Sequence, residues 1–294
     1  MTTRNWLNIV LLGAAILLVL VVMYQPGLEK PSAPERLTSL VPAQISQIRI
    51  ERSTRDTILL SKETSGWVLK APLPLPANSF RVEAVLQVAE APVHMRMPVV
   101  QASLAEFKLD QPQVRLWLDS VEIDFGSTEP LSGRRYVRIA DTVSLITDTS
   151  YFDLVGEFTA FADTALLPVD ARLLQIDLPA LRLVRLQEGG WTQAPNRAQL
   201  PPEPDVSVDM INALHDAWRF ARAVQVKPYV AAEEHAAGDD VVCIRIADSE
   251  IPLRFDIVSR APQLVLARVD LGIQYHLPES AAERLFSLSA HSTP

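Results

Sequence analysis

The run WLNIVLLGAAILLVLVVMY, Trp6 to Tyr24, holds no charged side chain over 19 residues, and nothing else in the chain restricts its fold so strongly. As a helix rising 1.5 Å per residue it is about 28 Å long, which matches a hydrocarbon core of roughly 30 Å. Trp6 and Tyr24 stand at its two ends, where amphipathic rings favour the headgroup zone. A cleaved signal peptide would carry a shorter apolar region, about 7–15 residues, and then a small-x-small site. The following MYQPGLEK offers no such site, so the run reads as an uncleaved transmembrane anchor. Arg4 and the α-amine precede it, and a short positive flank favours the cytoplasmic side. The expected placement is a single-pass inner-membrane protein with its bulk in a bacterial periplasm. Gly13, Ala14 and Ala15 give the helix a small-residue patch of the kind that packs on another helix.

The sequence expectation divides the chain into four parts. Residues 1–24 are a cytoplasmic stub and the anchor. Residues 25–36, QPGLEKPSAPER, are rich in proline and form a short, stiff linker. Residues 37–165 and 166–294 are two β-rich halves. Alternation dominates both: Ile48 and Ile50 alternate with Arg49 and Glu51, Val114, Leu116 and Leu118 with Arg115, Trp117 and Asp119, and Val121, Ile123 and Phe125 with Glu122 and Asp124. Such period-two runs are strands with one wet face. Helical spacing recurs in NSFRVEAVLQVAEA, SYFDLVGEFTAF, SVDMINALHDAWRFA and PESAAERLFSL, with Asn78 or Ser79, and Ser207, as caps.

These elements repeat. GWVLKAP from Gly66 is echoed by GWTQAP from Gly190, and DSVEIDF from Asp119 by DSEIPLRF from Asp248. The similar offsets suggest an internal duplication. The expected class is α+β, with repeated β-β-β-α units whose helices pack on antiparallel sheets, plus the N-terminal transmembrane helix.

Composition narrows the function classes. Apolar residues make up 48%, enough for real cores. A net charge of −8 without a Lys/Arg-rich run excludes nucleic acid as a partner, because that affinity rests on neutralised phosphates. With 22 prolines and only 10 glycines, the chain lacks glycine-rich cofactor loops, and no cofactor is expected. His94, His215, His235, His276 and His291 include no pair at the spacing of a zinc helix, and Cys243 stands alone, so no metal site is expected. EEHAAGDD, Glu233 to Asp240, lacks the framework of a calcium loop and reads as a solvated acidic loop. No nucleophile elbow is present, and no catalytic residue is assigned.

The stretch FGSTEPLSGRRYVRI, Phe125 to Ile139, holds the candidate binding residues. A phosphate cradle would open into a helix, whereas this segment opens into the alternating YVRIADTVSLI. It therefore reads as a strand-loop-strand connection in which Gly126 and Gly133 supply turn geometry. Arg134, Arg135 and Tyr136 are its candidate anion-binding set, with solvated edge charge as the alternative.

From about Leu37 to Leu288 the chain resembles the DUF4340 family, a bacterial domain of unknown function. The resemblance rests on the anchor, on LTSLVPAQISQIRIER, on GWVLKAPLPLPANSFRVEAVL, on FKLDQP, and on the FG-x-T…RRYVRI segment. It implies an extracytoplasmic β-rich protein, associated in some relatives with ABC-type transport or gliding machinery, and it carries over no catalytic residues. The expected function is a non-enzymatic accessory or interaction subunit of a cell-envelope assembly. A small-ligand or lipid-binding module and a membrane-tethered envelope hydrolase are the alternatives. The first would need a large apolar cavity between the halves, and the second two carboxylates facing one cleft about 5–10 Å apart.

Overall fold

In the computed structural model, the described residues are 3–24, 35–195, 206–229, 240–247 and 249–288. The chain opens with helix α1 (Thr3–Tyr24). Two antiparallel sheets follow. The first is built from β1 (Glu35–Arg36), β2 (Gln47–Arg52), β3 (Arg55–Glu63), β4 (Gly66–Ala71), β5 (Leu75–Pro76), β6 (Pro92–Pro98), β7 (Val114–Leu118), β8 (Val121–Thr128), β9 (Arg135–Ile139) and β10 (Thr142–Ile146). Helix α2 (Ser79–Leu86) lies between β5 and β6, and the short α3 (Tyr151–Val155) follows β10. The second sheet is built from β11 (Leu173–Asp177), β12 (Arg182–Arg185), β13 (Trp191–Ala194), β14 (Gln225–Pro228), β15 (Val241–Ile246), β16 (Leu253–Ser259), β17 (Val265–Arg268) and β18 (Ile273–His276). Helix α4 (Val208–Arg219) precedes β14, and α5 (Ala281–Phe286) closes the described chain.

The two sheets share one strand order. The first runs β1-β6-β10-β9-β8-β7-β2-β3-β4-β5, and the second β14-β18-β17-β16-β15-β11-β12-β13. Once β1 and β5 are set aside, the first half's three-strand meander, lone strand and four-strand meander occupy the same places as the second half's. Trp67 and Trp191 fall on the equivalent strands β4 and β13. The sequence expectation of three strands before every helix is corrected in the second unit of each half, where five strands precede the helix. The reason is pairing: the lone strand after α2 or α4 joins the far edge of the same sheet instead of starting a new one.

Alternation produces the core. Ile48, Ile50, Leu116, Leu118, Ile123, Phe125 and Val137 point to one face of the first sheet and are buried. Val82, Val85 and Leu86 of α2 cover that face. Asn78 caps α2 by accepting from the amides of Phe80 at 3.1 Å and Arg81 at 3.3 Å. In the second half Ile211, Leu214 and Trp218 of α4 do the same, and Ser207 accepts from the Met210 amide. Trp218 is fully buried, and its indole N–H donates to the Leu285 carbonyl at 2.8 Å, which ties α4 to α5. The SYFDLVGEFTAF segment is interrupted: α3 ends at Val155 and a 3-10 turn covers Phe158–Phe161.

Helix α1 has 22 residues and spans the whole uncharged run. Its described side chains are Trp6 and those of residues 10–19, and they are exposed. Over the described side chains, which in α1 are only these eleven, no helix is long and apolar enough to cross a membrane. Most of the linker, residues 25–34, lies outside the described residues, as do His235, His291, Asp248 and all but Asp240 of the acidic loop.

Candidate functional site

The three candidate residues Arg134, Arg135 and Tyr136 do not converge. Arg134 stands at the tip of the β8–β9 hairpin, where Gly133 takes a φ of +71° and the Glu129 amide donates to the Arg134 carbonyl at 2.6 Å. The Glu129 carboxylate organises this tip. It accepts from the Leu131 amide at 3.0 Å and the Ser132 amide at 2.7 Å, and from the Ser132 hydroxyl. These bonds, led by the hydroxyl, hold the Glu129 carboxyl below its ordinary range.

Arg135 turns inward. Its Nε donates to Asp148 at 2.5 Å and its Nη1 to the Gly126 carbonyl at 2.7 Å. Its guanidinium carbon lies 3.5 Å above the Tyr151 ring. The side chains of Arg135 and Asp148 are both largely buried. With Nε, Nη1 and its flat face engaged, Arg135 is a joint between β9 and α3 rather than part of an exposed anion site. Tyr136 points to the opposite face, as strand periodicity requires, and stacks on Phe107 with ring centroids 4.0 Å apart.

The expected role of Gly126 is corrected as well. It lies within β8, and a Cβ there would meet the Phe107 carbonyl oxygen at 2.3 Å and the Leu109 side chain at 2.9 Å. The segment carrying Phe107 and Leu109 presses on the outer face of the sheet, and the Ser127 amide donates to the Phe107 carbonyl at 2.7 Å. Glycine is needed there for close approach and not for a turn.

Sequence reasoning missed a charged ladder on that outer face. The strand register places Glu51, Arg115, Asp124 and Arg138 side by side on β2, β7, β8 and β9. Asp124 is 3% exposed. Its Oδ2 accepts from Arg138 Nε at 2.9 Å and Nη2 at 2.5 Å. Arg115 Nε lies 3.2 Å from its Oδ1 but is misaligned for a hydrogen bond, so that contact is ionic. Arg49 stacks on Trp117 at 4.0 Å on the same face. In the second sheet Asp177 accepts from Arg182 at 2.6 Å and Gln175 at 2.9 Å. The signal for these pairs was charge inside an alternating strand, but only register reveals the partners. Asp119, which follows β7, is committed to the chain at the start of β2. At φ +50° in the β7–β8 turn, it accepts from Ser46 N and Oγ and from Gln47 N at 2.9–3.0 Å.

A cleft of about 570 Å³ opens where the two halves join, lined among others by Asn78, Arg81, Glu157, Thr164, Val226 and Lys227. The Ala223 amide donates to the Thr164 carbonyl at 2.8 Å and Leu166 to Ala221 at 3.1 Å, which fixes the join. Arg81 pairs with Asp153 of α3, and Glu157 lies 3.2 Å from Arg55. Arg52 and Arg55 donate to the carbonyls of Gly156 and Val155, the carboxyl-terminal end of α3. That is the end where the helix dipole favours cations. Burial, and then the neighbouring Arg55, lower the Arg52 pKa from its ordinary value. Burial and the charge of Lys227 lower that of His276, which stands beside the cleft on β18. The lining is mixed rather than apolar, and among the described residues Glu157 is its one carboxylate. The cleft can therefore receive a polar or anionic group at Arg81 and Lys227. Among the described residues no group of three or more His, Cys, Asp or Glu side chains is gathered for a metal ion.

No curated protein and no solved structure matches the chain. The family model described as "Domain of unknown function (DUF4340)" matches residues 67–231, more than half of the chain and parts of both sheets. The chain belongs to the DUF4340 family.

Proposed function

We propose that this protein is a single-pass, membrane-anchored periplasmic subunit that serves a cell-envelope assembly as a non-enzymatic interaction partner, in the context of ABC-type transport. The observation that carries this reading is the 22-residue helix α1, uncharged from Trp6 to Tyr24, followed after ten residues by a folded pair of sheets. The matching strand order of the two sheets supports reading the halves as an internal repeat, a scaffold rather than a catalytic pocket. The carboxylates Asp124, Asp177 and Asp119 are held by arginines or backbone amides, which leaves them poorly placed as acid and base.

Crosslinking in intact cells, gentle detergent extraction and mass spectrometry test the proposal. A stoichiometric envelope partner is the expected result, and recovery of the chain alone overturns the accessory reading. The cleft at the join favours one alternative, a binding module for a small polar ligand. Arg81 and Lys227 would then be its anion contacts, and R81A and K227A would each weaken binding of a carboxylate or phosphate ligand found by thermal-shift screening.

A further inference from the structure

We infer that the end of the first sheet where the chain arrives from α1 rests on the membrane surface, with Leu131 and Phe152 in the lipid interface. This rests on the anchor proposed above. Leu131, at the tip of the β8–β9 hairpin, is 96% exposed, and Phe152, on α3, is 86% exposed. Apolar side chains so fully in water are ordinary when scattered, but these two lie at the same end of the first sheet. Strand register sets Glu35 opposite Val93, Ile146 next to Val93, and Arg135 next to Ile146. Glu35 therefore lies three strand spacings, about 14 Å, from the base of the hairpin. Helix α3 starts five residues after Ile146, at that same end.

The two apolar residues are held by one joint. Arg135, at the hairpin's base, pairs with Asp148 and stacks on Tyr151, the residue beside Phe152. Asp148 in turn accepts from the amides of Ser150 and Tyr151 at 3.1 and 3.0 Å. At the tip, the Glu129 carboxylate fixes the turn that projects Leu131, and Arg134 stands three residues further on. The exposed leucine is thus on a built turn.

Chain length selects the lipid surface as the occupant. Ten residues separate Tyr24 from Glu35, so the two cannot lie more than about 40 Å apart. An anchored α1 keeps this end of the sheet close to the bilayer. A leucine and a phenylalanine beside an arginine suit the interface, where apolar groups enter the acyl boundary and a guanidinium meets phosphate. Val100 provides the contrast: it is 92% exposed but follows the other end of β6, where Pro98 pairs with Thr142.

The test uses the full chain reconstituted in phosphatidylcholine–phosphatidylglycerol vesicles. L131C, F152C and V100C are each made with C243S and labelled with an environment-sensitive fluorophore. The expected result is blue-shifted emission at 131 and 152, quenched several-fold more strongly by brominated lipid than at 100. Equal quenching at all three positions, or none at any, in protein that resists carbonate extraction overturns the inference and leaves the anchor standing. Release of the protein by carbonate overturns the anchor and this inference with it.

Discussion

Arg138 grips Asp124 through two nitrogens of one guanidinium, at 2.9 and 2.5 Å, across the β8–β9 ladder, where Asp124 is almost wholly buried. A buried carboxylate is tolerated only while its partner stays. R138A should therefore cost about 2 kcal/mol of stability by stripping Asp124 of its two hydrogen bonds and leaving it only the ionic contact to Arg115. D124L, which removes the charge together with the need for it, should cost less. Denaturant titrations of the two variants in the same detergent check this order.

The adjacent arginines of the hairpin should separate cleanly. R135A breaks the contacts to Asp148, Gly126 and Tyr151 and should lose about 3 kcal/mol. R134A, at the hairpin tip, should stay within about 0.5 kcal/mol of the wild type. Thermal melts of both variants decide the matter, and equal shifts would contradict the assignment of Arg135 as a joint.

Gly126 should refuse even one methyl group. G126A places a Cβ against the Phe107 carbonyl, so the segment must shift and the Tyr136–Phe107 stack must open. A loss of about 3 kcal/mol is expected from such overpacking. G133A, on the exposed turn with positive φ, should be milder, at about 1 kcal/mol. Melting temperatures compare the two.

Glu129 gives the hairpin tip a pH dependence of known sign. Its folded pKa is depressed by Ser132 and by the amides of Leu131 and Ser132. The contribution is therefore fully present above the unfolded value of about 4.3 and is lost as pH falls through the folded pKa. The protection factors of the Leu131 and Ser132 amides, followed by NMR from pH 6 to 3, should fall toward one as Glu129 protonates. E129Q should show fast exchange already at pH 6.

The fold was legible wherever the information was local. The period-two runs around Ile48, Leu116 and Ile123 became β2, β7 and β8, and Asn78 and Ser207 cap helices as their positions implied. The runs from Gly66 and from Gly190 both became strands, β4 and β13. The candidate site was less legible, because a strand pattern states that Arg135 and Tyr136 face opposite ways without stating what awaits them. Asp148 and Tyr151 await one, and Phe107 the other.

The uncharged helix, the alternation of the strands and the turn at Gly133 follow from the order of residues, because each depends on neighbours a few positions apart. Tertiary structure alone decided that β6 joins β10 across more than forty residues, and that the segment at Phe107 lies on Gly126. It also set Asp124 between two arginines. The physical reason is that burial and register are made by pairing distant strands, and a period of two fixes which face a side chain takes but not which strand comes to lie beside it.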